Sequence, residues 1–204
     1  MNETAEELKE LIRSAASQLR RTLSVKQSAD DFSAIVDEAN SRLGYQLIGT
    51  PQTGFYKEAF LASRFAPLRQ ATHVWLGDDP PDFWLTVEGQ DYSFEATEVL
   101  RPNRKRDIEL REVHELGPQM DPAENWLTIS ENIDLVIKAI ARKNKPKYST
   151  VFGLLIYLNT GSIDHESGCD EATTEIVKTL RQSNFPTPFQ QVWLALNTYC
   201  ERIR

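Results

Sequence analysis

Cysteine and histidine are scarce in this chain, and their scarcity excludes a class of sites. Cys169 and Cys200 are the two cysteines and lack the spacing of metal ligands, which suits a reducing, cytoplasmic setting. His73, His114 and His165 are scattered singly and read as structural or solvated side chains. Long apolar runs are lacking as well. No stretch approaches the roughly 20 apolar residues of a membrane span, and the opening MNETAEELKE has neither the basic nor the apolar region of a signal peptide. Positive charge is not in excess, since a net formal charge of -7 argues against a generally basic nucleic-acid coat. No solenoid repeat is visible. What remains is a chain of 204 residues with ordinary apolar and charged fractions, sized for one globular core with an appended element.

The stretch over residues 80–99, PPDFWLTVEGQDYSFEATEV, sets carboxylates into apolar strands. Residues 83–87 and 92–99 have the β-branched and aromatic content of paired strands. Gly89 supplies the positive φ that the first residue of a two-residue hairpin loop needs. With Gly89 and Gln90 as the loop, Glu88 pairs with Asp91, Asp82 falls opposite Thr97, and Trp84 falls opposite Glu95. Asp82 and Glu95 are then diagonal neighbours roughly 7–8 Å apart, within reach of two carboxylates converging on one cation. Glu95, Thr97 and Val99 share that face, and Phe94, Ala96 and Glu98 take the other. A one-residue slip would put the two acids on opposite faces. Hard oxygen ligands of this kind suit Mg²⁺ or Mn²⁺.

Helical periodicity precedes the hairpin. Leu8, Leu11, Ile12, Ala15, Ala16, Leu19 and Leu23 form one face of an amphipathic helix. A second helix starts at Ser28 with Asp31 as a capping partner, carries Phe32, Ile35, Val36, Ala39 and Leu43 on one face, and stops at Gly44. These helices could pack on the core, form a homodimer seam or hold a protein partner. A turn-rich joint over residues 49–54 separates this helical extension, residues 1–50, from an α/β domain over residues 51–204. There a short helix from Phe55 ends near Pro67, and His73–Leu76 reads as a strand. Residues 101–122 are long and polar, with a short helix over 108–116. Thr128 and Glu131 make a capping box for a helix with an apolar stripe of Ile129, Ile133, Val136, Ile137 and Ile140, broken by Pro146. Residues 151–158 are a continuous apolar run, as in a strand covered on both faces. Residues 172–181 are again helical, and 192–196 form a further buried strand.

Charge is unevenly spread. Arg101, Arg104, Lys105, Arg106 and Arg111 follow the acidic strand, and Lys138, Arg142, Lys143, Lys145 and Lys147 form a second cluster without acids. Asp164, Glu166, Asp170, Glu171 and Glu175 gather later. The basic clusters read either as solvated faces or as a nucleic-acid face through Arg101, Arg104, Lys105, Arg106, Arg142 and Lys145.

Pro81-Asp82 followed by Glu95-Ala96-Thr97 resembles the PD-(D/E)xK nuclease superfamily, whose members place an Asp at the start of the second core strand and Glu-x-Lys on the third. The resemblance extends over residues 55–196 through the order of elements. It implies a restriction-endonuclease-like α/β fold, a mixed sheet of about five strands flanked by helices. It further implies a Mg²⁺ or Mn²⁺ site at Asp82 and Glu95, helped by Glu58 on the preceding helix, and hydrolysis of phosphodiesters in DNA or RNA. Thr97 stands where the family has its lysine. An active site must then take its cation from the helix after the hairpin, from Lys138 or Lys143, of which Lys138 is the better placed beside Ile137. Two other readings stay open. One is a catalytically inactive binding or interaction module on the same fold. In the other, Asp82 caps a turn and Glu95 pairs with Arg101 or Arg104.

Overall fold

A computed structural model of the chain describes residues 2–43, 54–102, 127–160, 169–196 and 199–204. The elements run α1 (Asn2–Leu23), β1 (Gln27–Ser28), α2 (Ala29–Leu43), α3 (Gly54–Leu68), β2 (His73–Leu76), β3 (Phe83–Val87) and β4 (Gln90–Leu100), then α4 (Ile129–Lys143), a 3-10 turn (Pro146–Tyr148), β5 (Gly153–Asn159), α5 (Cys169–Gln182), β6 (Gln191–Leu196) and β7 (Tyr199–Arg202). The class is α/β, with a seven-stranded mixed sheet in the order β1-β2-β3-β4-β5-β6-β7. β1, β2 and β3 pair antiparallel, β4, β5 and β6 pair parallel, and β7 is antiparallel to β6.

The expected five strands are thus two short of the seven, and the additional ones are the edge strands β1 and β7. An edge strand is paired on one side only and half solvated, so its residues need no apolar run. Gln27–Ser28 and Tyr199–Arg202 have none. The stop at Gly44, the joint over residues 49–53, the boundary at 50/51 and the short helix over 108–116 lie outside the described residues. No helix among the described residues is long and apolar enough to cross a membrane.

The described residues form two compact units that divide between Asp91 and Tyr92. In the first, α1 buries Ala16 and Leu23, and α2 buries Phe32, Val36 and Ala39. Ser28 caps α2 as expected: the Asp31 N–H donates to its Oγ at 3.1 Å, and that hydroxyl donates to Asp31 Oδ2 at 2.6 Å. The buried Tyr56 of α3 donates to the Val36 carbonyl at 3.2 Å, and burial, with Asp37 adding to it, pushes its phenol up to about 12. β2 and β3 alternate up to Leu85, after which Thr86 is buried too. Val74, Leu76, Phe83 and Leu85 are buried, while Trp75 and Trp84 pair on the opposite face with parallel rings 5.8 Å apart.

Between β2 and β3 the chain turns through Gly77-Asp78-Asp79-Pro80-Pro81-Asp82, the loop that carries two of the acids of interest. The Gly77 N–H donates to the Asp82 carbonyl at 2.9 Å, and a Cβ on Gly77 would sit 2.2 Å from the Pro81 carbonyl oxygen. Glycine is therefore the residue that lets this loop close.

The second unit is built on β5, whose run GLLIYLN is buried over most of its length between β4 and β6. α4 contributes Val136, Ala139 and Ile140 and α5 contributes Ile176, Val177 and Leu180 to one core with Leu154, Ile156, Leu158, Val192 and Leu194. The capping box at Thr128 and Glu131 is formed. One turn on, the buried Asn132 accepts a hydrogen bond from the buried Thr160 at 2.8 Å, tying the start of α4 to the end of β5.

The loop geometry carries the first prediction. Gly77→Ala is expected to cost about 1–3 kcal/mol, the usual penalty for forcing a methyl into filled space, because the obstacle is backbone and has no rotamer to swing away. Urea unfolding of the two proteins measures it, and an unchanged midpoint would show that the loop yields freely.

Candidate metal centre

Glu88 and Gly89, with φ of 52° and 78°, are the two residues between β3 and β4. Positive φ at both positions marks a type I′ turn, whose twist suits paired strands. The loop is therefore Glu88-Gly89 rather than Gly89-Gln90, and Gly89 takes its second position. Moving a two-residue loop back by one residue changes every cross-strand partner by two, so no side chain changes face. Val87 now faces Gln90 across the turn.

A carboxylate oxygen of Asp79, one of Asp82 and one of Glu95 all lie within 4.8 Å of one another. Asp82 and Glu95 are buried and Asp79 is exposed. Asp79 is the member that strand periodicity misses, because it sits in a turn. Its signal is the string Asp78-Asp79-Pro80-Pro81-Asp82, a loop dense in carboxylates next to the hairpin. Glu58, half-buried on α3, is not part of this group.

Glu95 is 2% exposed and its two oxygens have different surroundings. Oε1 accepts a hydrogen bond from Lys143 Nζ in an ion pair. Oε2 is buried with no hydrogen-bond partner among the described residues. A buried carboxylate oxygen left in this state is costly unless a further donor or a cation meets it. With Lys143 included, the three carboxylates carry a formal charge of -2, a deficit that a hard divalent cation matches. The donor set therefore fits Mg²⁺ or Mn²⁺.

The cation on Glu95 is Lys143, not the favoured Lys138. The reason lies in helical geometry. The buried side chains of α4 are Asn132, Val136, Ala139 and Ile140, and position 143, three and four residues beyond the last two, continues their face. Lys138 is five residues back, about 140° round the helix, and is exposed. The apolar stripe read through Ile133 and Ile137 is offset from this buried face, since both are only partly buried. Thr97 is half-buried on β4 beside Ile156 of β5 and brings no charge. Arg101 is half-buried just past β4, while Arg142 and Lys145 are exposed. Arg104, Lys105, Arg106 and Arg111 lie outside the described residues, as do His114 and His165.

Lys143→Ala strands the Glu95 charge, and the expected loss is about 1–3 kcal/mol. That is less than the roughly 3–5 kcal/mol of a fully buried pair, because the Lys143 side chain is 22% exposed. The loss should shrink when Glu95→Gln is already present. A double-mutant cycle by urea unfolding in chelator-treated buffer reads the coupling, and additive effects would show that the two groups do not depend on each other.

Compared with protein-family models, curated proteins and solved structures, the chain matches none.

Proposed function

We propose that this chain is a metal-dependent nuclease of restriction-endonuclease-like fold, a PD-(D/E)xK variant that hydrolyses phosphodiester bonds of DNA or RNA with Mg²⁺ or Mn²⁺. The observation that carries the reading is the convergence of Asp79, Asp82 and Glu95, with Lys143 seated on Glu95. Asp82 and Glu95 hold the ion, and Asp79 is the third carboxylate in place of Glu58. Bound there, the ion supplies Lewis-acid charge to a phosphoryl oxygen and a water of lowered pKa. Lys143 takes the role of the lysine missing at Thr97. Its ammonium has three donors, one of which goes to Glu95, and another can meet charge developing on a phosphoryl oxygen. Arg142 and Lys145, exposed on either side of Lys143 in sequence, and Arg101, Arg104, Lys105 and Arg106 after β4 supply the phosphate-binding cations.

A second reading, a non-catalytic binding module on the same fold, is favoured by one observation, the uncharged Thr97 two residues after Glu95 on β4.

Two measurements separate them. Calorimetry should show Mn²⁺ binding that disappears in Asp82→Ala and Glu95→Ala, weakens in Asp79→Ala and persists in Glu58→Ala. Equal affinity across all five proteins would remove the metal site from consideration. In cleavage assays with Mg²⁺ or Mn²⁺, Lys143→Ala should lose on the order of 100-fold in rate, the cost of one preorganised electrostatic group, while Lys138→Ala stays near wild type. Metal binding without cleavage of DNA or RNA by any of the proteins would favour the binding module.

A further inference from the structure

The 3-10 turn that follows α4 brings an aromatic ring back under the last residue of that helix. Tyr148 is 4% exposed, and its ring lies 5.8 Å from that of Phe189, tilted by 37°. The turn is closed by the Tyr148 N–H donating to the Lys145 carbonyl at 3.0 Å, and the Val151 N–H donates to the Tyr148 carbonyl at 3.0 Å. The ring is thus held by packing and by backbone hydrogen bonds on both sides.

Lys143 stands against this ring. Its Nζ is 5.2 Å from the ring centroid and 3.5 Å from the hydroxyl oxygen. The first distance is within cation–π range, and the second is at the outer limit of a hydrogen bond. A lysine on four rotatable bonds can sample many positions. Here it lies between Glu95 on β4 and the fixed ring of Tyr148. The remaining charged group at this ring is Lys147, whose Nζ is 4.7 Å from the same centroid. A second ammonium on the ring face adds repulsion and so makes the placement of the first depend more closely on its carboxylate and hydroxyl contacts.

We propose that Tyr148 is a positioning residue that holds the Lys143 ammonium at Glu95, so that the rate of phosphodiester cleavage depends on Tyr148 although it binds no metal. The cleavage part of this inference rests on the nuclease reading; the placement of Lys143 by Tyr148 does not. Pro146 and the one-turn helix are what make the arrangement work. Proline ends α4, and the three-residue turn then aims position 148 back at position 143.

The test uses the full chain in three forms, wild type, Tyr148→Phe and Tyr148→Leu. The Phe variant keeps the ring and deletes the hydroxyl, and the Leu variant deletes both. The direct readout is the Lys143 Nζ signal by NMR, assigned with Lys143→Arg and followed for proton exchange. Exchange should quicken by about two- to fivefold in Tyr148→Phe and more in Tyr148→Leu, which loses the ring as well. Mn²⁺ affinity should stay at the wild-type value in both, and kcat should fall by about three- to tenfold while KM holds. A merely structural Tyr148 would lower the unfolding midpoint and leave the Lys143 signal where it is, and that result overturns the proposal. Should Tyr148→Leu not fold, Tyr148→Phe decides by the same signal. If wild type neither binds Mn²⁺ nor cleaves nucleic acid, the nuclease reading fails, while the Lys143 signal still decides whether Tyr148 holds the ammonium.

Discussion

Glu95 keeps a carboxylate at 2% exposure in the middle of β4, and much of the second unit can be understood from how that charge is met. Burying an ion costs several kcal/mol unless a partner in good geometry compensates. The partner comes from the far end of α4, so the helix must have the right length, the right rotation and a fixed start. Its start is set by the capping box and by the hydrogen bond from Thr160 to Asn132. Its end is set by Lys143 on Glu95. Glu95 lies beside Leu154, and from Leu154 to Thr160 the strand advances about 20 Å. From Asn132 to Lys143 the helix advances about 16 Å, so the two spans are of similar length. A helix one turn shorter would leave the carboxylate without its cation, and an extra residue between Ile140 and Lys143 would turn the lysine about 100° off the buried face.

The same carboxylate depends on the hairpin. That hairpin turns on two residues that adopt positive φ, one of them the non-glycine Glu88. A left-handed conformation is uncommon for a side chain such as glutamate, and it is accepted here because the type I′ turn matches the twist of the strands on either side. On the β2–β3 side, Gly77 lets the proline-rich loop fold against itself and carry Asp79 and Asp82. Neither glycine is a ligand. Both shape the loops beside the carboxylates.

Several features follow from local rules and were legible in the sequence. The hydroxyl cap at Ser28 and the capping box at Thr128 need only a hydroxyl and a carboxylate three residues apart. The central β5 needs only an unbroken apolar run, since covering on both faces removes alternation. The expectation that Asp82 and Glu95 fall on one hairpin face rests on period two alone, because a loop shifted by one residue changes partners by two and preserves faces.

Other features were decided by tertiary structure. Which two residues form the loop depends on strand twist, so Glu88 displaced Gln90 from it. Asp79 joins the carboxylates because a loop folds back on Gly77, a closure that no periodicity encodes. The edge strands β1 and β7 exist only through the neighbour each one pairs with. Above all, the cation on Glu95 is Lys143 rather than Lys138, because the buried face of α4 centres on Asn132, Val136, Ala139 and Ile140 rather than on the isoleucine stripe. The sequence by itself determined that an acid pair and a basic helix belong to this chain, because composition and spacing are local. Only the packing of that helix decided which lysine reaches the acid, because rotation about a helix axis is set by what the opposite surface will accept.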